Sequence, residues 1–422
     1  MRTDLSSQIK LDRIPRRYYN PDNEIELTAL RREEKLFTRI FETISDGGDF
    51  IASEMARYIN RYTEQKGRCV LALGAGVSTH RAYASLIKLY NEGRVDFSNV
   101  IIYIIDEFFP LLPEGPSVLK RLREILLDHI NIKPENVRTI NPEITKETMY
   151  EYCQAYEQAI ADDGGIDLAV FEIGPHGTVA FNEAGSPESS YCRLVLLGNE
   201  IRHIISKNYN CDEVPTTAIT LGVANLRSAK RILTMAWGEN SAEIVRKVVE
   251  GDASPSVPAS LLQGHPHVKL VIDLGAAEEL TRISQPWKVT SCEWNDKLIR
   301  RAIVWLCNMT GKPILKLTDK DYNDWGLGEL LALYGSAYNV NIKVFNELQH
   351  TITGWPGGKP NADDTYRPER ANPYPKRVIV FSPHPDDDVI SMGGTLKRLV
   401  DQHHDVHVAY ETSGNIAVGD ED

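Results

Sequence analysis

Asp106 and Glu107 follow the apolar run 100–105 and are the first residues in the sequence positioned to transfer protons. A carboxylate at the end of a buried strand can act as a general base on a carbon acid. A lone aspartate at such a position more often caps a helix or bridges a loop. Spacing alone therefore leaves both roles open for Asp106.

The turn Gly74–Thr79 follows another apolar run, 69–73, and leads into a helical pattern. Its glycines, Gly74 and Gly76, and the hydroxyls of Ser78 and Thr79 could surround a phosphate group. Backbone N–H groups and the helix dipole would assist. A tight turn with a helix cap is the commoner use of such a segment, so this motif alone is a weak indication of phosphate binding.

A third segment, Gly174–Glu183, places His176, Thr178, Asn182 and Glu183 in one loop after the apolar run 166–173. Ring opening and isomerisation of a sugar need groups of this kind to carry protons. Taken alone, His176 would more often be a surface or hydrogen-bonded histidine.

A fourth segment, Ser382–Asp388, combines His384 with Asp386, Asp387 and Asp388 at the end of the apolar run 377–381. Histidine and carboxylates at a strand end are reasonable ligands for zinc or another divalent ion. An acidic, solvated loop is the alternative that composition does not reject.

Apolar runs alternate with helical patterns from about residue 37 to residue 280. This alternation predicts an α/β fold with an open, mostly parallel sheet and helices on both faces. In such sheets ligands bind beyond the carboxyl ends of the strands, where all these polar segments lie. After residue 377 a strand, a helix and a strand predict a separate β-α-β fragment.

The division of the chain follows from these patterns. We predict an N-terminal arm over residues 1–36, a main domain over 37–280 and a helical extension over 281–352. A Pro- and Gly-rich linker over 353–376 and a partial domain over 377–422 complete the chain.

The composition is that of a water-soluble globular protein, with 422 residues and a net charge of −12. The sequence has no basic stripe, which argues against nucleic acid as a partner. No apolar run has the length of a membrane span or a signal peptide, so we expect a cytoplasmic protein without a membrane partner. The six cysteines form no CxxC pair and are expected to be reduced thiols.

Taken together, Leu71–Thr79, Ile105–Phe108 and Val179–Glu183 resemble the glucosamine-6-phosphate deaminase family. The resemblance extends over about residues 40–280 and includes the letters DHINIKPENV at 128–137 and VVEG at 248–251. It implies a modified Rossmann-like fold and a homo-oligomer. It also implies an isomerase and hydrolase that converts a hexosamine 6-phosphate into fructose 6-phosphate and ammonia, without an organic cofactor.

On this resemblance Asp106 is the base that moves a proton between C1 and C2, and Glu183 is the acidic partner of the histidine that opens the ring. Gly76 and Ser78, with Gly74 and Thr79 beside them, match the phosphate loop. The matches to the family's allosteric phosphate site are Ser186 and Arg193.

Several positions depart from the family pattern. Thr178 stands at the position of the ring-opening histidine, and His176 precedes it where the family has an aspartate. A threonine hydroxyl is a poor acid–base group near neutral pH, and His176 could substitute only from a shifted position. Lys207 replaces the substrate-phosphate arginine, and Ser241 replaces a phosphate lysine. The phosphate loop itself has lost a proline and a glycine.

The segment Ser382–Asp388 resembles the signature of the LmbE/PIG-L family of zinc-dependent N-acetylglucosamine deacetylases. The resemblance implies that His384 and Asp387 bind zinc and that Asp386 activates a water molecule, with Asp388 in place of a glutamate. Only the start of such a domain is matched, so we expect an incomplete zinc site here.

Three hypotheses follow from the sequence. The leading one is a hexosamine-phosphate deaminase that uses Asp106, Glu183 and His176. The second is a domain that binds a sugar phosphate without turnover, which the replacements at Thr178 and Ser241 favour. The third is part of a longer zinc-dependent N-acetylglucosamine deacetylase.

Overall fold

The computed structural model describes residues 14–112, 115–140, 144–349, 377–401 and 403–413. The chain divides into two compact units, Met1–Thr290 and Ser291–Asp422. The first unit thus includes residues 281–290, which we had assigned from the sequence to the helical extension.

The first unit contains ten strands and nine α-helices among its described residues. The strands are β1 (Thr38–Phe41), β2 (Cys69–Leu73), β3 (Val100–Ile104), β4 (Asp106–Phe109), β5 (Val137–Arg138), β6 (Leu168–Glu172), β7 (Arg193–Leu196), β8 (Thr217–Thr220), β9 (Ile232–Ala236) and β10 (Val268–Asp273). The helices are α1 (Glu24–Leu30), α2 (Ile44–Lys66), α3 (His80–Asn91), α4 (Val118–Ile125), α5 (Met149–Asp162), α6 (Asn199–Tyr209), α7 (Val223–Arg227), α8 (Ala242–Val249) and α9 (Thr281–Ser284).

The main sheet has seven strands in the order β1-β10-β9-β6-β2-β3-β5, and every pair in it is parallel. Strand β2, in the interior of the sheet, is fully buried, and its side chains alternate between two apolar clusters. Val70 and Ala72 belong to one cluster, and Leu71 and Leu73 to the other. A sheet covered on both faces is the α/β architecture predicted from the sequence, and that prediction is confirmed.

Helix α2, which precedes β2 in the chain, has local sequence signals that fix both of its ends. Thr43 accepts a hydrogen bond from the N–H of Asp46 and caps α2, and Gly67 ends that helix with a positive φ of 78°. Glycine adopts this left-handed conformation without the steric penalty that a Cβ atom would bring. Because α2 ends at Gly67 and β2 begins at Cys69, the end of this helix fixes where β2 starts and therefore where the turn Gly74–Thr79 lies.

A second, small sheet was not predicted. Strands β4, β8 and β7 pair antiparallel, and Asp106 lies opposite Thr220. The alternation of apolar runs and helical patterns over residues 37–280 predicts a mostly parallel sheet and gives no sign of this antiparallel one. The chain leaves β3 at Ile105 and begins β4 at once, so Asp106 is the first residue of an antiparallel strand.

The described part of the predicted N-terminal arm, residues 14–36, packs into the folded unit. Tyr18, Leu30 and Leu36 are buried, and α1 lies within this segment. The Glu34 carboxylate forms an ion pair with Arg282 at 2.8 Å, and both side chains are almost fully buried, at 1% and 0% exposure. The charge pattern of residues 1–36 suggested a solvated segment, but part of that charge is paired in the interior.

The described part of the second unit has five helices and a pair of parallel strands. The helices are α10 (Asp296–Thr310), α11 (Asp319–Asp324), α12 (Gly328–Tyr334), α13 (Ala337–Gln349) and α14 (Asp387–Asp401), and the strands are β11 (Arg377–Ser382) and β12 (Asp405–Tyr410). The strands and α14 form the predicted β-α-β fragment. The predicted linker, 353–376, lies outside the described residues. Across the described part of the chain, no helix is long and apolar enough to cross a membrane.

Candidate active site

A cavity opens at the carboxyl ends of β2 and β6, where the sequence placed the ligand site. It encloses about 770 Å³ of space free of protein atoms, including its open mouth. The turn after β2, the start of β4 and the end of β6 form one side of it. Helix α6 contributes Ile201, Ile204, Ile205, Asn208 and Tyr209 to its wall.

Asp106 lies in this cavity and is 8% exposed. Burial raises the pKa of its carboxyl group to about 8, and the nearby carboxylates of Glu107 and Glu172 add to the rise. Among the described residues, no side chain or backbone donor makes a hydrogen bond to this carboxyl group. A buried carboxyl group that titrates near neutral pH can both accept and return a proton.

Glu107, the neighbour of Asp106, has a structural role. Its carboxylate accepts hydrogen bonds from the N–H groups of Val118 (2.8 Å) and Leu119 (2.9 Å) and from the Ser117 hydroxyl (3.0 Å). These donors lie at the start of α4, where backbone N–H groups have no partner within the helix. The two adjacent acids are thus separated in function, since Glu107 caps a helix and Asp106 faces the cavity.

In the predicted phosphate-binding turn, Gly74–Thr79, a backbone donor is already bonded to a side chain of the same protein, Glu172. The backbone N–H of Ser78 donates to Oε2 of Glu172 at 2.7 Å, and a Cβ atom at Gly76 would lie 2.1 Å from this carboxylate. Gly74 and Gly76 line the cavity, but Ser78 and Thr79 do not. The prediction that these residues bind phosphate is therefore not supported, because the donor at Ser78 already has an acidic partner.

Glu172 is the most consequential residue that sequence reasoning missed. It is the last residue of β6 and lines the cavity together with Asp106. Burial raises the pKa of its carboxyl group, while hydrogen bonds from Ser78 partly offset that rise. The sequence did carry a signal, since an acid at the end of an apolar run is the pattern that drew attention to Asp106.

The loop after β6 separates the predicted proton carriers. His176 has a positive φ of 56°, is exposed and forms an ion-pair contact with Glu200 at 3.0 Å. Thr178, two residues later, is buried and lines the cavity. His176 does not line the cavity, because the turn directs its side chain to the start of α6, and its substitution for the missing ring-opening histidine stays a prediction that this placement does not favour.

Glu183 does not converge with Asp106 on the cavity. Its Oε1 accepts a hydrogen bond from the N–H of Gly198 at 3.0 Å, next to the start of α6. Its side chain is absent from the cavity wall. The expected pair of cooperating carboxylates is therefore not formed, because the helix N-terminus attracts this acid.

The remaining predicted phosphate ligand, Lys207, is also absent from the cavity wall. Lys207 is exposed on α6. Ser241, which stands at the family's lysine position, donates from its hydroxyl to the carbonyl of Trp237 at 2.9 Å. Neither residue supplies a cation to the cavity.

Arg121 and Tyr209 were not identified from the sequence. Arg121 lines the cavity, stacks on the Tyr209 ring at 3.4 Å from its centroid, and donates to the carbonyl of Asn208. Both residues come from helices, so no strand-end pattern could have indicated them.

Ser186 and Arg193 do meet in the structure. The Arg193 guanidinium donates to the Ser186 hydroxyl at 3.1 Å and to Oδ1 of Asn182 at 2.9 Å. Asn182 in turn donates to the carbonyls of Val179 and Leu221. This arrangement brings together the two residues matched to the allosteric site, and it also fixes the loop that carries them.

The second motif forms an open, partial cluster. Nδ1 of His384 lies 3.0 Å from Oδ2 of Asp387, and their side chains are 51% and 39% exposed. Asp388 is buried and bonded to the Ser382 hydroxyl, so it holds the start of α14. The described residues contain no group of three or more His, Cys, Asp or Glu side chains that could bind a metal ion. They therefore do not fit a complete zinc site.

The chain belongs to the family of glucosamine-6-phosphate isomerases and 6-phosphogluconolactonases, whose family model matches residues 46–271. Within it, the chain is similar to curated relatives named as glucosamine-6-phosphate deaminases or deaminase-like proteins. A second family model, that of the GlcNAc-PI de-N-acetylases, matches residues 379–422. Both resemblances drawn from the sequence are confirmed.

A glucosamine-6-phosphate deaminase-like protein of Bacteroides thetaiotaomicron is 57% identical over 425 residues, which cover 100% of this chain and 64% of that relative. A glucosamine-6-phosphate deaminase of Halothermothrix orenii is 39% identical over 213 residues, covering 50% of this chain and 88% of the relative. A solved structure of a monomeric glucosamine-6-phosphate deaminase is 29% identical, covers 58% of this chain and 100% of that chain, and has a TM-score of 0.54.

Proposed function

We propose that the first unit catalyses the aldose–ketose isomerisation of a hexosamine with loss of ammonia. Asp106 is the group that moves the proton. The observation that carries this proposal is its buried carboxyl group, which faces the cavity with a pKa of about 8. General acid–base catalysis is most efficient when the pKa of the group lies near the working pH.

Atoms and electrons balance in the proposed reaction. Asp106 removes the proton from C2 of the open-chain amino aldose and returns a proton to C1, while the C1 oxygen gains a proton and the amine nitrogen loses one, so C1 becomes an alcohol and the amine at C2 becomes an imine. Water then adds to C2 and ammonia leaves, giving the ketose. One water is consumed, no electrons are exchanged, and no organic cofactor is needed.

A second candidate is ligand binding without turnover. It is favoured by the hydroxyl of Thr178 at the cavity wall and by the positions of His176 and Glu183 outside it. Ring opening then has no imidazole to assist it. A protein of this kind would bind an amino sugar in the cavity and release no ammonia.

Measurement of ammonia release separates these candidates. The purified chain is assayed with glucosamine, glucosamine 6-phosphate and their N-acetyl derivatives, and Asp106→Asn is the comparison. Deamination requires ammonia from at least one hexosamine and its loss in Asp106→Asn. A rise in melting temperature with a hexosamine, without ammonia, would instead establish binding alone.

For the second unit we propose only that it, too, is related to enzymes that act on amino sugars. The de-N-acetylase match at residues 379–422 is named for a GlcNAc derivative, and the first matched family includes the glucosamine-6-phosphate isomerases, so both matches include enzymes named for amino sugars. Zinc binding by His384 and Asp387 would need at least one more ligand, since structural and catalytic zinc sites use three or more protein ligands. The homo-oligomer that the family resemblance implies for this chain stays a prediction.

A further inference from the structure

We infer that the cavity accepts an amino sugar that carries a free hydroxyl group, not a phosphate, at the end facing the Gly74–Thr79 turn. Glu172 is the residue that determines this specificity. The inference rests on the proposed function for the identity of the ligand as an amino sugar, and on the geometry of the turn for the exclusion of phosphate.

The first argument is space. A phosphate in this turn would have to accept from the backbone N–H of Ser78, which donates instead to Glu172 at 2.7 Å. The carboxylate is so close to Gly76 that a Cβ atom there would overlap it at 2.1 Å. The position beside the turn is therefore filled by two carboxylate oxygens from the same chain.

The second argument is charge. A phosphate monoester carries close to two negative charges at neutral pH and would lie beside the Glu172 carboxylate, which lines the cavity. Like charges in a partly buried site repel strongly because water screens them poorly. Protonation of Glu172 would reduce its repulsion of a phosphate, but its side chain would still fill the space beside the turn.

The third argument concerns the missing cations. Among the residues that the structure describes, Arg121 is the one cationic side chain on the cavity wall. Its guanidinium is engaged with the Tyr209 ring and the Asn208 carbonyl. Lys207 lies outside the wall, so a phosphate would meet one cationic side chain here, Arg121, one of whose donors is already used, and would meet it beside the Glu172 carboxylate.

A hydroxyl group suits the same position. A carboxylate offers about four lone-pair sites on its two oxygens, and the Ser78 N–H uses one of them. A sugar hydroxyl can donate to Glu172 without displacing it and without bringing charge. The ligand class that fits both acids is therefore an unphosphorylated hexosamine, whose amine is a cation.

Binding measurements on three proteins test the inference. Calorimetric titration of the full chain with glucosamine, glucosamine 6-phosphate and inorganic phosphate is compared with the variants Glu172→Gly and Glu172→Gln. We expect the natural protein to bind glucosamine at least about tenfold more tightly than its 6-phosphate. Glu172→Gly should gain affinity for inorganic phosphate and for the 6-phosphate, because it frees both the space and the Ser78 N–H.

Glu172→Gln is the matched control, since the amide keeps the volume and loses the charge. It should still exclude phosphate if space dominates, and melting temperatures would show that each variant folds. The inference is overturned if the natural protein prefers the 6-phosphate, if it binds neither sugar, or if Glu172→Gly leaves the preference unchanged. Ammonia release measured in parallel keeps the proposals apart. Selective glucosamine binding without ammonia would refute deamination alone, and ammonia from the 6-phosphate only would refute the inference alone.

Discussion

The two strand ends that carry acidic motifs differ in their surroundings. Asp106 lies at the edge of a covered sheet and is 8% exposed, whereas the side chain of Asp387 follows β11 and is 39% exposed. Strand β2, behind the first site, is fully buried, but Phe381 of β11 is 65% exposed. The comparison teaches that two similar acidic motifs can differ sharply in how far neighbouring elements remove them from water.

The largest effect that would sharpen this comparison is on catalysis. Asp106→Asn should lower ammonia release by about 10²–10⁴-fold, since that is the usual contribution of a general acid–base group. Asp387→Asn makes the same chemical change at the exposed strand end and should leave the rate unchanged. Equal losses in both variants, or none in Asp106→Asn, would remove the distinction between the two regions.

Hydrogen exchange should show the next largest difference. Amide protons of β2 lie in a sheet with apolar clusters on both faces, while among the described strands β11 pairs only with β12. An isolated pair of strands is marginally stable in water. We expect amides of β11 to exchange at least about a hundredfold faster than those of β2, measured by mass spectrometry on the full chain. Equal protection would mean that β11 is stabilised as well as β2.

A smaller effect concerns pH and stability. The pKa of the Asp106 carboxyl group is about 8 in the folded protein and about 4 in an unfolded chain. Between these values the folded state binds more protons, so the free energy of unfolding should fall as pH rises. We expect the melting temperature to decrease from pH 5 to pH 8 by several degrees more in the natural protein than in Asp106→Asn. An identical decrease in both proteins would show that Asp106 ionises normally. In this measurement Asp387→Asn again provides the matched control.

The smallest expected effect is at the metal motif. Because the described residues supply no third ligand near His384, the purified chain should bind less than stoichiometric zinc, and His384→Ala should not change the bound amount. Metal analysis by mass spectrometry after dialysis provides the measurement. Stoichiometric zinc that is lost in His384→Ala would show that this segment forms a complete site.

The sequence predicted the parallel sheet well because β2, β3 and β6 are continuous apolar runs, which is what burial on both faces requires. It did not reveal the antiparallel sheet of β4, β8 and β7. Residues 106–109 directly follow β3, and periodicity cannot show that a chain changes sheet within one residue.

The candidate site was predictable only in part. Asp106 was found because an acid ends an apolar run, and Gly74 and Gly76 do line the cavity. The errors at Glu183 and His176 have one cause, since both interact with the start of α6, a helix whose placement no local pattern encodes. Residue types indicated the chemistry, but tertiary packing decided which groups face the ligand.

The buried pair of Glu34 and Arg282 has a consequence for the size of the smallest autonomous folding unit. Both residues lie outside the stretch matched by the family model, 46–271, yet they meet in the interior. A shorter version cut to the matched stretch would lose both partners together, but one cut only on the N-terminal side would leave the buried Arg282 without Glu34, its ion-pair partner. Truncation on one side only is therefore expected to destabilise the unit more than removal of both partners. Domain boundaries chosen from sequence similarity alone do not reveal this ion pair.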